Sequence, residues 1–222
     1  IGCIGVYTSI ALPAIRRLLL RDNPAWQEKL MRGWTGESQV RFNAMCAILN
    51  SDIPIVDIED LLVGTFRDPN GYVPALVLDN GESLFEGPAI IQYLADLAPE
   101  KNLVPAAGSF ERAKVQQWLN FLSTELHKQL APLFNPALPD EAKGVFIEGY
   151  SNRLNQLANA LGDNDYLLGD QYSIADIYLF VILSWHPFFE FDASPWPTLE
   201  AFQARVGARP AVQQALKEEG LA

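Results

Sequence analysis

The stretch that most constrains the fold is Ser173 to Trp185, S-I-A-D-I-Y-L-F-V-I-L-S-W. A serine followed three residues later by an acid has the logic of a capping box, with the hydroxyl serving the first turn and Asp176 reaching back to the cap. From Ile174 to about Trp185 the helix is then apolar nearly all round, so it offers no face to water. Such a helix has to stand in the middle of a bundle. The surrounding sequence supplies one. Val115, Leu119, Leu122, Leu126 and Leu130 make an apolar stripe on a long helix, residues from about Asp140 to Leu161 form a second, and Pro197-Thr198-Leu199 opens a last helical region. Residues 109–222 therefore read as an all-helical domain.

Pro99 to Gly108, PEKNLVPAAG, reads as a linker, and before it the pattern changes. Leu30-Met31-Arg32-Gly33-Trp34 is a candidate strand, and Ser38 precedes a helical pattern carrying Val40, Met45, Ile48 and Leu49. Asp52 to Ile58 is β-branched with partial alternation, which suits a second strand. Ala75 to Leu78 and Ser83 to Phe85 flank Asn80-Gly81, two residues that tolerate the positive φ of a type I′ hairpin turn. A helix follows with Pro88 just inside it, and Ile90 or Ile91, Leu94 and Leu97 recur at helical spacing. Residues 30–98 thus make a βαββα unit. Residues 1–29 form an extension whose apolar run precedes Arg16, Arg17 and Arg21, the reverse of a cleavable signal. An Arg-rich transit peptide is the alternative reading of that segment.

Composition narrows the partners. Of 222 residues, 49% are hydrophobic and 19% charged, enough to bury a sizeable core. The net charge of −11, with no clustering of lysine and arginine, argues against nucleic acid and anionic membrane surfaces. No apolar run reaches the ~18 residues that a membrane-spanning helix needs. Two cysteines, Cys3 and Cys46, build no disulfide framework and fit a reducing cytoplasm. With two histidines beside them, a zinc site of the usual kind is nearly excluded, and no metal is expected.

The chemistry concentrates at Gly71-Tyr72-Val73-Pro74 and Glu86-Gly87-Pro88. Proline is wrong for a central strand because it donates nothing to the ladder. Either Pro74 lies on an edge, or a cis Val73–Pro74 bond turns the backbone of Val73 outward, where it can pair with a peptide-like ligand. Twelve residues later a helix N-terminus offers N–H groups and partial positive charge to a carboxylate, while Glu86 can take an ammonium group. An α-amino acid headgroup carries both. The plainer reading is that Pro74 trims an edge and Glu86 complements the helix dipole.

Taken together, GYVPAL, LDNG, FEGPAIIQYLAD, WLNFLSTELHK and GDQYSIADIYLF resemble the glutathione S-transferases, most of all the bacterial beta class, over about Asn70 to Ala222. The resemblance implies α/β plus all-α architecture, with a thioredoxin-like N-terminal domain followed by an all-helical C-terminal domain, and a homodimer. It implies glutathione as co-substrate, with Val73 and a cis Pro74 on the cysteinyl backbone and Glu86 and Gly87 on the γ-glutamyl end. That is the polarity the headgroup argument reaches. At about 100° per residue, Asn120, Thr124 and His127 share a stripe beside the leucine stripe. The resemblance implies that they reach glutathione, partly across the dimer interface. The alternative is a solvated face with a structural histidine. Ser173 and Asp176 match the family's capping box, and Trp185 either lines the second-substrate pocket or is a core aromatic.

Beta-class enzymes place a cysteine at the start of the first helix, and other members use serine or tyrosine. Here the corresponding hydroxyl is Ser38, with Thr35 as the alternative, while Cys46 falls inside the helix and is expected to be inert. A rival register uses Tyr7, Thr8 or Ser9 and leaves too many residues before Pro74. The stretch between Asp57 and Pro74 is shorter than the family's usual second helix, and the basic residue of the beta class has no clear counterpart there. The implied reaction is attack of the glutathione thiolate on a small electrophile, which needs a lowered thiol pKa; a hydroxyl at a helix N-terminus can supply that. The missing cysteine keeps two alternatives open, a non-catalytic glutathione-fold binding protein and a glutathione-dependent disulfide reductase.

Overall fold

The computed structural model describes residues 75–77, 82–135, 137–218 and 221. The expected elements before Ala75, together with Thr35, Ser38, Cys46, Val73, Pro74 and the extension, lie outside these residues. The chain divides into two compact units. Among the described residues, one takes in everything up to Ala98 together with the segment from Pro210, and the other is Pro99–Arg209.

In the first unit, β1 (Ala75–Val77) pairs antiparallel with β2 (Ser83–Phe85). Ala75 faces Phe85, and Val77 faces Ser83. The expected turn residues Asn80 and Gly81 lie outside the described residues. Helix α1 (Gly87–Asp96) begins with Pro88 in its first turn, where a missing N–H is harmless. It buries Ile90, Ile91, Leu94 and Ala95. Leu97, expected on that face, is instead the C-cap and is 52% exposed, because the helix ends one residue before it. Helix α6 (Pro210–Glu218) completes the unit's described elements and buries Val212 and Ala215.

The second unit is helical. The linker is partly built into it: Leu103 is buried, and Pro99–Lys101 forms a 3-10 turn. Helix α2 (Phe110–Phe121) is capped by Ser109, whose hydroxyl accepts the Arg112 N–H. It runs on through a π-helical segment, Leu122–His127, into Lys128–Leu130 and a 3-10 turn at Ala131–Phe134. The stripe Val115, Leu119, Leu122, Leu126 and Leu130 is buried throughout. Each leucine contributes about 1.5–3 kcal/mol on burial, so truncating one should cost about 2–5 kcal/mol. Helix α3 (Asp140–Leu161) buries Tyr150, Leu154, Leu157 and Leu161 and ends at Gly162, whose φ of 53° suits glycine.

Helix α4 (Ile174–Leu183) has all ten residues buried and contacts α2, the π segment and α5 (Pro197–Gly207). It is the central helix the sequence requires, ending two residues short of Trp185.

Candidate functional site

On the first unit the candidate site is the entry to α1. Glu86 is its N-cap, exposed, with φ 68° and ψ 114° and no side-chain bond into its own helix. Positive φ strains a residue with a Cβ, and glycine would adopt it freely. The retained glutamate thus carries its carboxylate at a local conformational cost, beside a helix N-terminus. The Glu86 carbonyl accepts the N–H groups of Ala89 and Ile90, both at 3.0 Å, and Pro88 has none. Gly87's amide is the donor of this turn that Glu86's carbonyl does not take up. Carboxylate and amide side by side are complementary to the ammonium and carboxylate of an amino acid headgroup.

On the second unit the long helix carries Asn120, Thr124 and His127, and the π segment divides them. Its i→i−5 pattern, seen in the Lys128 N–H bonding to the Ser123 carbonyl, winds less per residue than the α-helix. Asn120 and Thr124 are exposed, and the Thr124 hydroxyl donates to the Asn120 carbonyl at 3.0 Å. His127 is half-buried and turned toward α4, with Nδ1 2.8 Å from the Tyr178 hydroxyl. Its ring meets Trp185 edge-on, centroids 4.9 Å apart, and Trp185 in turn meets Phe134. Trp185 is buried and forms part of this aromatic cluster.

The capping box at the head of α4 is present in full. Asp176 accepts the Leu167 N–H on Oδ1 at 2.8 Å, and the Ser173 N–H and hydroxyl on Oδ2 at 2.8 and 2.9 Å. Ser173 Oγ accepts the Ala175 N–H, and the Ile174 N–H goes to the Leu103 carbonyl. The orphan donors of the helix end are thereby satisfied. Burial pushes the Asp176 carboxyl up to about 6, against the pull of the Leu167 and Ser173 bonds.

A second tyrosine–histidine pair lies just past the end of α4. His186 Nε2 is 2.8 Å from the Tyr150 hydroxyl, with Phe191 against both rings. Burial holds His186 down to about 4 and raises the Tyr150 phenol. Both Tyr–His pairs join residues far apart in sequence; the available signal was a tyrosine on a buried helix face, whose hydroxyl burial obliges to find a partner. Among the described residues no group of three or more His, Cys, Asp or Glu could hold a metal ion, and no helix is long and apolar enough to cross a membrane.

Residues 121–210 match the family model described as glutathione S-transferase, C-terminal domain. The chain is 42% identical over 154 residues to glutathione S-transferase GstA of Escherichia coli O157:H7, an alignment spanning 69% of this chain and 77% of that protein. Its fold is similar to a ternary complex of BphK, a bacterial glutathione S-transferase, with TM-score 0.69 and 47% identity over 82% of this chain and 94% of the other. It is also similar to a sphingomonad glutathione S-transferase complexed with glutathione, with TM-score 0.71 and 38% identity over 81% and 94% of the two chains.

Proposed function

The chain belongs to the glutathione S-transferase family, and on that premise we propose that it conjugates the glutathione thiolate to small electrophiles. Its fold class is the family's, a thioredoxin-like N-terminal domain followed by an all-helical one. The observation that carries the reading is the entry to α1, where an exposed, backbone-strained Glu86 stands beside the Gly87 amide at a helix N-terminus. Such a site suits the γ-glutamyl headgroup, which presents an ammonium and a carboxylate together.

In this reading residues 30–98 are the glutathione-binding domain and 109–222 the helical domain. Val73 and Pro74 pair with the cysteinyl backbone, Glu86 and Gly87 hold the γ-glutamyl end, and Asn120, Thr124 and His127 add contacts from the helical domain. Ser38 donates to the sulfur. A thiol becomes the nucleophile by losing its proton, so a hydroxyl donor at a helix N-terminus stabilises the anion before it attacks. The sulfur–carbon bond then forms as the acceptor's leaving group departs or its ring opens. The working protein is a cytoplasmic homodimer.

The test is an assay of purified protein with glutathione and a panel of aryl halides, epoxides and mixed disulfides. Conjugation of the halides or epoxides supports the reading. Turnover of mixed disulfides alone makes it a reductase, and no turnover despite glutathione binding makes it a binding protein.

A further inference from the structure

The segment from His186 to Trp196 joins α4 to α5 and belongs to neither helix. It opens with a 3-10 turn, His186–Phe189. The N–H groups of Phe188, Phe191 and Trp196 bond to the carbonyls of Trp185, His186 and Ala193, within the segment or one residue before it. Two side-chain hydrogen bonds tie it to α3. The Tyr150 hydroxyl lies 2.8 Å from Nε2 of His186, and the Trp196 Nε1–H donates to Oδ1 of Asn155 at 2.7 Å. Phe191 packs between the two ties. It meets Tyr150 edge-on, lies tilted against His186 with centroids 4.7 Å apart, and stacks on Trp196 at 5.7 Å.

The tie at His186 differs from the one at Trp196 in that it can take a charge. The imidazole is buried, with the rings of Tyr150 and Phe191 against it. A proton there still allows the Tyr150 oxygen to accept, but it places a cation in an aromatic socket away from water. The charged and titratable groups nearby do not compensate it. From α3 the facing group is the Tyr150 phenol, which burial keeps neutral, while Arg153, one turn on, pairs with Glu125 at 2.7 Å. Within the segment Glu190 is exposed, and the Asp192 carboxylate accepts the Ser194 N–H at 3.0 Å. Burial accordingly holds the imidazole down to about 4, and opening the segment returns it to water and its ordinary 6.5.

We propose that His186–Trp196 is a strap on α3 that acid releases: when His186 takes a proton, the segment lifts away from Tyr150 as a unit while α3 and α4 stay packed. Release also draws Phe189 from Phe134, which it meets at 4.5 Å, so the aromatic cluster at the end of the long helix loses one ring. Local opening of this kind is open to a segment held by side-chain ties rather than by a helix or sheet ladder.

Amide hydrogen exchange of the full chain, read by mass spectrometry and corrected for the intrinsic rate at each pH, tests the strap against α4. In the wild type, protection at Phe188, Phe191 and Trp196 should fall about twentyfold from pH 7 to pH 5, as the opened state gains its proton. Those amides should be less protected than α4, and low urea should leave their exchange nearly unchanged while speeding that of α4, because a local opening exposes little surface. His186→Gln should remove the pH dependence of the strap. Asn155→Ala, which cuts the other tie and leaves the imidazole in place, should speed strap exchange about fivefold or more at both pH values and keep its pH dependence. Strap protection that does not change with pH in the wild type overturns the proposal. So does a strap that shares the protection and urea dependence of α4, since it then opens only when the whole unit unfolds. Should His186→Gln fail to fold, the wild type and Asn155→Ala still decide between these outcomes.

Discussion

Replacing Asp176 by alanine tests whether the head of α4 holds the helical unit together. The carboxylate serves two buried backbone donors, Leu167 N–H and Ser173 N–H, each at 2.8 Å, and the Ser173 hydroxyl at 2.9 Å. Each backbone N–H left without an acceptor costs about 1–3 kcal/mol, or about 2–6 kcal/mol for the two. Removing a buried charge offsets part of this, since burial raises the Asp176 carboxyl from 3.8 to about 6. A net loss of about 2–4 kcal/mol at pH 7 follows, which for a protein of this size lowers Tm by about 6–12 °C. The sign of the pH dependence is a second, sharper test. A carboxyl whose folded pKa is raised binds its proton more readily in the folded state, so its contribution to stability is greatest below pH 4 and is lost as pH rises through 6. The gap between wild type and Asp176→Ala should therefore widen by about 1 kcal/mol from pH 7 to pH 5. His186 titrates in the same window with the opposite sign, but it is present in both proteins and cancels. Urea denaturation followed by tryptophan fluorescence at the two pH values reads both quantities. A loss under about 1 kcal/mol at pH 7, or a gap that narrows in acid, refutes the reasoning.

Glu86→Ala should weaken glutathione binding about ten- to a hundredfold, or about 1.5–3 kcal/mol, by loss of the ammonium partner; unchanged calorimetric affinity sinks the headgroup assignment. His186, held down to about 4 by burial, favours the neutral ring in the folded state, so its contribution is complete above pH 6.5 and lost as pH falls toward 4. Wild type should then lose about 2 kcal/mol more than His186→Gln between pH 7 and pH 5 in urea denaturation, and parallel losses would contradict it. Ser38→Ala should leave glutathione affinity nearly intact while raising the pKa of the bound thiol and lowering turnover about ten- to a thousandfold; ultraviolet titration showing an unshifted thiolate makes Ser38 a helix cap. Light scattering should give about twice the 24.6 kDa chain mass, and a monomer at micromolar concentration removes any contact from a partner subunit.

What the sequence made legible was chemistry completed within a few residues. The Ser173–Asp176 box spans one helical turn, and its hydrogen bonds are those the spacing demands. The entry to α1 is local in the same way, with Pro88 in the first turn and Glu86 beside it. Its backbone strain was not legible, because a glutamate carries no sign that its φ will be 68°. Leu97 misled for a related reason: periodicity continues past the point where a helix stops, and the residue became an exposed cap. The PEKNLVPAAG linker reads as polar punctuation, yet Leu103 is buried and its carbonyl receives the Ile174 N–H. That role is set by α4, 71 residues later, and no local pattern encodes it. The stripe of Asn120, Thr124 and His127 assumed one constant winding angle, which the π segment at Leu122–His127 does not keep.

The two histidines show what such non-local pairing does. Each has a tyrosine hydroxyl at 2.8 Å, so hydrogen bonding does not tell them apart. Burial does. His186 is 9% exposed, packed against Tyr150 and Phe191, and desolvation keeps its ring neutral far below ordinary histidine titration. His127 has the same kind of partner on one nitrogen but stays half-buried at the end of the π segment. One Tyr–His pair thus closes a core, while the other braces a ring at the end of the π segment, and neither pairing is encoded by a local pattern in the sequence.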